Sequence, residues 1–74
     1  MDYKELDDLV GKKFQVKNSF RIGRYKMKKG DILEVVGWGC GSFDYIIRFS
    51  NLRLLPCVFG CALWAFKKDT TELE

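Results

Sequence analysis

The sequence predicts a small, mostly β domain of about five strands arranged as a barrel, with a short helix at its N-terminal end. Three observations lead there: strict polar–apolar alternation over Lys13 to Lys17, a run from Ile32 to Val36 that is apolar on both faces, and a second alternating stretch from Phe43 to Phe49 joined to that run through glycines. A side-chain period of two is the signature of extended chain, and a run apolar on both faces suits a strand covered on both sides. With 74 residues, the chain has room for one domain spanning residues 1–74, and at that size every large apolar side chain counts toward stability.

Taken in order, residues 2–10 read as the helix. Asp2 and Glu5 have the spacing of a capping box, Leu6, Leu9 and Val10 fall on one side, and Gly11 can close the end. Two turns of helix are not stable alone in water, so this segment must lie on the rest of the domain or on a partner. The barrel is expected over residues 12–66. Its first strand, Lys13 to Lys17, points Phe14 and Val16 inward, and Asn18 to Gly30 then follows neither template and reads as a long excursion. Ile32 to Val36 forms the second strand. Gly37 to Ser42 reads as a hairpin turn, and Phe43, Tyr45, Ile47 and Phe49 form the inward set of the third strand. Leu52, Leu54 and Leu55 begin a further strand that Pro56 ends or bends. Periodicity cannot decide between strand and helix for Val58 to Phe66, although its length and flanking residues favour strand. Residues 69–74 read as an acidic tail.

The segment YKMKKGDILEVVGW, Tyr25 to Trp38, resembles the second-strand region of Src-homology-3-type barrels, in which a mobile loop leads through basic residues and Gly-Asp into an alternating strand. Lys28, Lys29, Gly30, Asp31, Ile32, Leu33, Glu34, Val35 and Val36 carry the likeness, which implies an Src-homology-3-like barrel. Gly30 permits the sharp turn and Asp31 can accept from backbone amides there. The family's proline-rich peptide binding relies on tyrosines in the first strand and loop. Here that region reads GKKFQVKNSFRIGRY, so polyproline recognition is not carried over.

Charge is segregated. Lys12 to Lys29 holds eight Lys or Arg and no acid, so a chain of net +3 carries +8 there and −5 elsewhere. Such asymmetry suits an acidic partner or, equally, folding of the basic loop against the chain's own acidic ends. Lys17, Phe20, Arg21, Arg24, Tyr25, Lys26, Lys28 and Lys29 are the expected partner-binding residues, with Trp38 displayed at the glycine turn as an anchor. Cations interleaved with aromatics serve either an acidic protein surface or the phosphates and bases of nucleic acid. The acidic protein surface is preferred, because the net charge is modest and acidic ends would repel a phosphate backbone. The expectation is a non-enzymatic binding module, an inhibitor or adaptor of the kind phages and mobile elements encode, with a nucleic-acid-binding barrel or a structural subunit as alternatives.

Other chemistry is thinly represented. Gly37, Gly39 and Gly41 lack the Lys-Ser or Lys-Thr of a phosphate-binding loop and do not open a helix. Three cysteines, Cys40, Cys57 and Cys61, without any histidine make a poor metal site and leave a cysteine nucleophile without its usual base. No cofactor, metal or catalytic residue is expected. An odd cysteine count without a secretory leader pattern fits a reducing cytoplasm. The longest uncharged run, Leu54 to Phe66, is 13 residues, too short to cross a bilayer as a helix. Within it Val58, Phe59, Leu63, Trp64 and Phe66 are the expected self-association surface for a homodimer.

Overall fold

The computed structural model describes residues 3–73. Helix α1 (Tyr3–Leu9) leads to strand β1 (Lys13–Val16), followed by β2 (Phe20–Ile22), β3 (Tyr25–Met27), β4 (Ile32–Cys40) and β5 (Tyr45–Asn51). A single 3-10 turn, Leu52–Leu54, precedes β6 (Val58–Ala62), helix α2 (Leu63–Asp69) and β7 (Thr70–Glu72). Five strands form one sheet in the order β6-β5-β4-β1-β7, antiparallel throughout, while β2 and β3 pair with each other apart from it. The mostly β fold with a short N-terminal helix is thus the one that the alternating segments predict.

The core follows from that alternation. Phe14 and Val16 of β1, Leu33 and Val35 of β4, and Ile47 and Phe49 of β5 are buried, and Leu6, Met27, Phe59, Leu63 and Phe66 complete the cluster. Phe49 sits at its centre, with ring centroids 5.3 Å from Phe66, 6.0 Å from Phe59 and 6.5 Å from Phe20. Burying each such ring stabilises the fold by about 1.5–3 kcal/mol, a large share of what a domain this small retains.

Several elements depart from the sequence-based expectation. The excursion after β1 contains the β2–β3 hairpin, whose three-residue strands are too short to show a period; its two-residue turn starts at Gly23 with φ +58°, where glycine alone is unstrained. The glycines at 37 and 39 do not form a turn. They lie within β4, paired to Arg48 and Ile46, after a register shift that leaves Val36 bulged outward. The turn falls at 41–44 instead, closed by the Gly41 amide donating to the Asp44 carbonyl at 2.8 Å, and Phe43 is fully exposed at its tip rather than inward.

The C-terminal third differs more. Leu52 to Leu54 forms a 3-10 turn, not a strand, because Asn51 accepts from the Arg53 amide through its side chain (2.9 Å), and a cis Leu55–Pro56 bond follows. Val58 to Phe66 is divided: strand to Ala62, helix from Leu63. The helix has no side-chain cap of its own, and the Asp44 carboxylate supplies one by accepting from the Trp64 amide at 3.1 Å. Residues 70–72 of the expected acidic tail form β7, paired with β1 from Phe14↔Glu72 to Val16↔Thr70. At the other end, Asp2 of the expected capping box lies outside the described residues; Leu6 is buried, Leu9 half-buried and Val10 exposed.

Candidate functional site: the basic hairpin and the groove beside it

The hairpin is built so that its apolar residues face the core and its cations face out. Phe20, Ile22 and Met27 lie on one side, with Met27 fully buried. Arg21 and Lys26, exposed, are direct cross-strand partners, a like-charge pairing that destabilises an antiparallel ladder by a fraction of a kcal/mol to about 1 kcal/mol. At the tip the Arg24 guanidinium lies 5.8 Å from the centroid of Tyr25, and Tyr25 in turn meets the ring of Phe59 edge-on at 5.2 Å.

The hairpin's base brings in the remaining cations. The Gly30 amide donates to the Val16 carbonyl (2.8 Å) and the Lys29 amide to the Ser19 hydroxyl (3.2 Å), so Lys17, Lys28 and Lys29 belong to the same end of the loop. Among the described residues, the ion pairs are Lys12–Glu72 at 3.6 Å and Arg53–Asp31 at 3.0 Å. None of the six cations Lys17, Arg21, Arg24, Lys26, Lys28 and Lys29 takes part in either. Glu72 is matched to Lys12 and Asp7 accepts from Trp38 at 2.8 Å, so these acids from the two ends of the chain do not neutralise the hairpin.

The hairpin is pinned in place by a polar knot beneath it. Asp31 accepts from the Lys28 amide (2.9 Å), from the fully buried Asn51 (3.0 Å) and from Arg53 Nη2 (3.0 Å), while that same Arg53 nitrogen donates to the Lys26 carbonyl at 2.8 Å. Burial alone would raise the Asp31 carboxyl, but hydrogen bonds from Arg53, Asn51 and the Lys28 amide, with the Arg53 charge, outweigh it and hold the group below its ordinary value. The Gly-Asp pair singled out in the sequence therefore acts here: Gly30 at φ +95° makes the turn, and Asp31 ties the segment leaving β3 to Asn51 at the end of β5 and to Arg53 just after it.

Beside the hairpin runs an open groove of about 660 Å³, walled by Ile22, Arg24 and Tyr25 on one side and Val58, Phe59 and Gly60 of β6 on the other. A smaller hollow of about 370 Å³ continues round the same stretch of β6 to Arg48. Arg48 pairs with Gly60 across the ladder. Neither the groove nor Arg48 was legible in the sequence, because only the pairing register shows that a residue without a side chain lies between that arginine and the sheet edge.

Two expected site residues belong elsewhere. Trp38 is not displayed at a turn. It is half-buried on β4, stacked on Tyr3 of α1 at 5.4 Å and edge-on to Tyr45 at 5.9 Å, so it docks the helix. Phe20 packs into the core against Phe49. Of the expected self-association residues, Phe59, Leu63 and Phe66 are buried in the chain's own core, and only Val58 and Trp64 remain exposed. The physical reason is that β6 and α2 turn one apolar face of the run inward. Among the described residues, no helix is long and apolar enough to cross a membrane, and no three acidic, cysteine or histidine side chains gather as metal ligands. No protein-family model matches the chain, and neither does any curated protein or solved structure.

Proposed function

We propose that this protein is a non-catalytic binding module, an inhibitor or adaptor, that docks its basic hairpin on an acidic protein surface. One observation carries the reading: six exposed cations along the hairpin make no ion pair among the described residues, and two of them, Arg21 and Lys26, face each other across the ladder. An arrangement that costs local stability without an internal compensation is expected where an external partner supplies it. The order of the five main strands and the basic excursion entering β4 through Gly30-Asp31 support the reading of the scaffold as an Src-homology-3-like barrel.

A protein target is favoured over nucleic acid by what the aromatics do. Stacking several bases needs several exposed ring faces, whereas Phe20 is packed against the core and Tyr25, the one exposed ring of the hairpin, already has Arg24 near its face and Phe59 against it. The test pairs a pull-down from a lysate of the source cells with a titration of a 20-base-pair duplex over a salt series. With Arg21→Glu/Arg24→Glu, a protein captured by the native chain should be lost, while Trp64→Ala should keep it. Tight duplex binding whose logarithm falls steeply with log salt, at about −0.9 per phosphate contacted, together with capture unaffected by the charge reversal, would overturn the proposal.

A further inference from the structure

We infer that the partner is engaged as an added strand: an extended segment of another protein, alternating apolar and acidic residues, pairs with the outer edge of β6 and lies against the hairpin. This rests on the docking role proposed above and specifies how it is achieved. β6 is the last strand of its sheet, and among the described residues no strand or backbone hydrogen bond from another element pairs with its outer edge; the β2–β3 hairpin approaches it through side chains, Tyr25 against Phe59. Exposed edges are ordinarily blunted by a charged residue, a proline, a bulge or a covering element. Val58–Ala62 contains no charge and no proline, and its register with β5 runs unbroken from Ser50↔Val58 to Ile46↔Ala62. Among the described residues its outer-edge backbone groups are left unpaired beside the open groove that separates β6 from the hairpin, the arrangement used in strand addition, where main-chain bonds supply affinity and alternate side chains supply selectivity.

The surroundings of that edge specify the occupant. Side chains on an added strand point alternately to the two sides of the sheet. On the inner side they would meet the mostly apolar groove lined by Ile22, Arg24 and Tyr25; on the outer side they would meet the hollow that holds Arg48. An apolar residue followed by a carboxylate therefore satisfies both sides. A second copy of this chain fits less well, because joining two β6 edges would bring two sets of Arg24 and Arg48 together without added acids.

The probe is a capped ten-residue peptide of alternating Val and Glu, compared with the same peptide N-methylated at alternate residues so that one backbone edge cannot pair, and with a Val–Lys version. Hydrogen exchange of the full chain should show new protection at Val58–Ala62 with the Val–Glu peptide. The N-methylated peptide should bind at least about tenfold more weakly, as expected when hydrogen bonds amounting to more than about 1.4 kcal/mol are lost, and the Val–Lys peptide should not bind. Arg48→Glu and Arg24→Glu should each weaken the Val–Glu peptide. If N-methylated and unmodified peptides bind within twofold and β6 gains no protection, strand addition is wrong while charge docking survives. If β6 becomes protected with rising protein concentration alone, the occupant is a second copy and the inference fails. Duplex DNA that shifts only hairpin amides, with no peptide binding, overturns both readings.

Discussion

Replacing Asp31 by asparagine should unfasten the hairpin that carries the proposed site. The carboxylate accepts from the Lys28 amide, Asn51 and Arg53, and its side chain is only 11% exposed. Asp31→Asn removes the charge facing Arg53 and puts an NH2 group among donors. Losing one charge-assisted bond costs about 1.5–3 kcal/mol, and an unsatisfied buried donor about 1–3 kcal/mol. Arg53 is 40% exposed, so water recovers part of the first loss, and the net expectation is about 2–3 kcal/mol. For a domain of this size each kcal/mol moves Tm by about 4–8 °C, so the melt should fall by roughly 10–20 °C. Amides at Tyr25–Met27 should exchange faster than those of β5. The combination with Arg53→Met should cost less than the two single changes together. The pH dependence has a definite sign: the folded carboxyl titrates below its ordinary value of 3.8, so its contribution is present above that pH and is lost as pH falls through the folded value. Native protein should therefore lose stability on acidification below about pH 4 more steeply than Asp31→Asn. A drop in Tm under about 3 °C, with hairpin exchange unchanged, would refute the reasoning.

Two further outcomes follow from the same packing. Trp38→Ala should cost about 2–3 kcal/mol, less than the roughly 3–5 expected for a fully buried ring, and should release α1: amides of Tyr3–Leu9 lose protection while capture by the hairpin persists. Loss of capture with α1 still protected would instead return Trp38 to the binding surface. Burial, with a smaller contribution from Asp69, pushes the Cys61 thiol up to about 11, whereas Cys40 and Cys57 are exposed. Iodoacetamide at pH 8 should thus modify Cys40 and Cys57 in the native protein much faster than Cys61, the difference narrowing on unfolding, since roughly a thousandth of Cys61 is thiolate at that pH. Equal rates at all three by mass spectrometry would show that Cys61 is not sheltered.

Alternation was enough to read the mostly β class and the inward faces of Phe14, Val16, Ile47 and Phe49, and the turn chemistry of Gly30-Asp31 was enough to read the turn there, because those features depend on neighbours two or three residues apart. Charge segregation was equally plain, and it located the cations of the candidate site. What the sequence left open depends on partners distant in the chain. Whether Phe43 lies inside or at a turn depends on how far β4 continues through its glycines, which is decided by pairing with β5. Leu63–Asp69 becomes helix where Asp44, twenty residues away, caps it, and the acidic Thr70–Glu72 becomes strand because β1 offers it an edge. The same holds for the site: composition shows that Arg21, Lys26 and Arg48 are basic, but only the folded register sets the first two face to face and places the third opposite Gly60 near an open edge. Backbone pairing between strands is a non-local choice, stabilised by contacts that local periodicity does not contain.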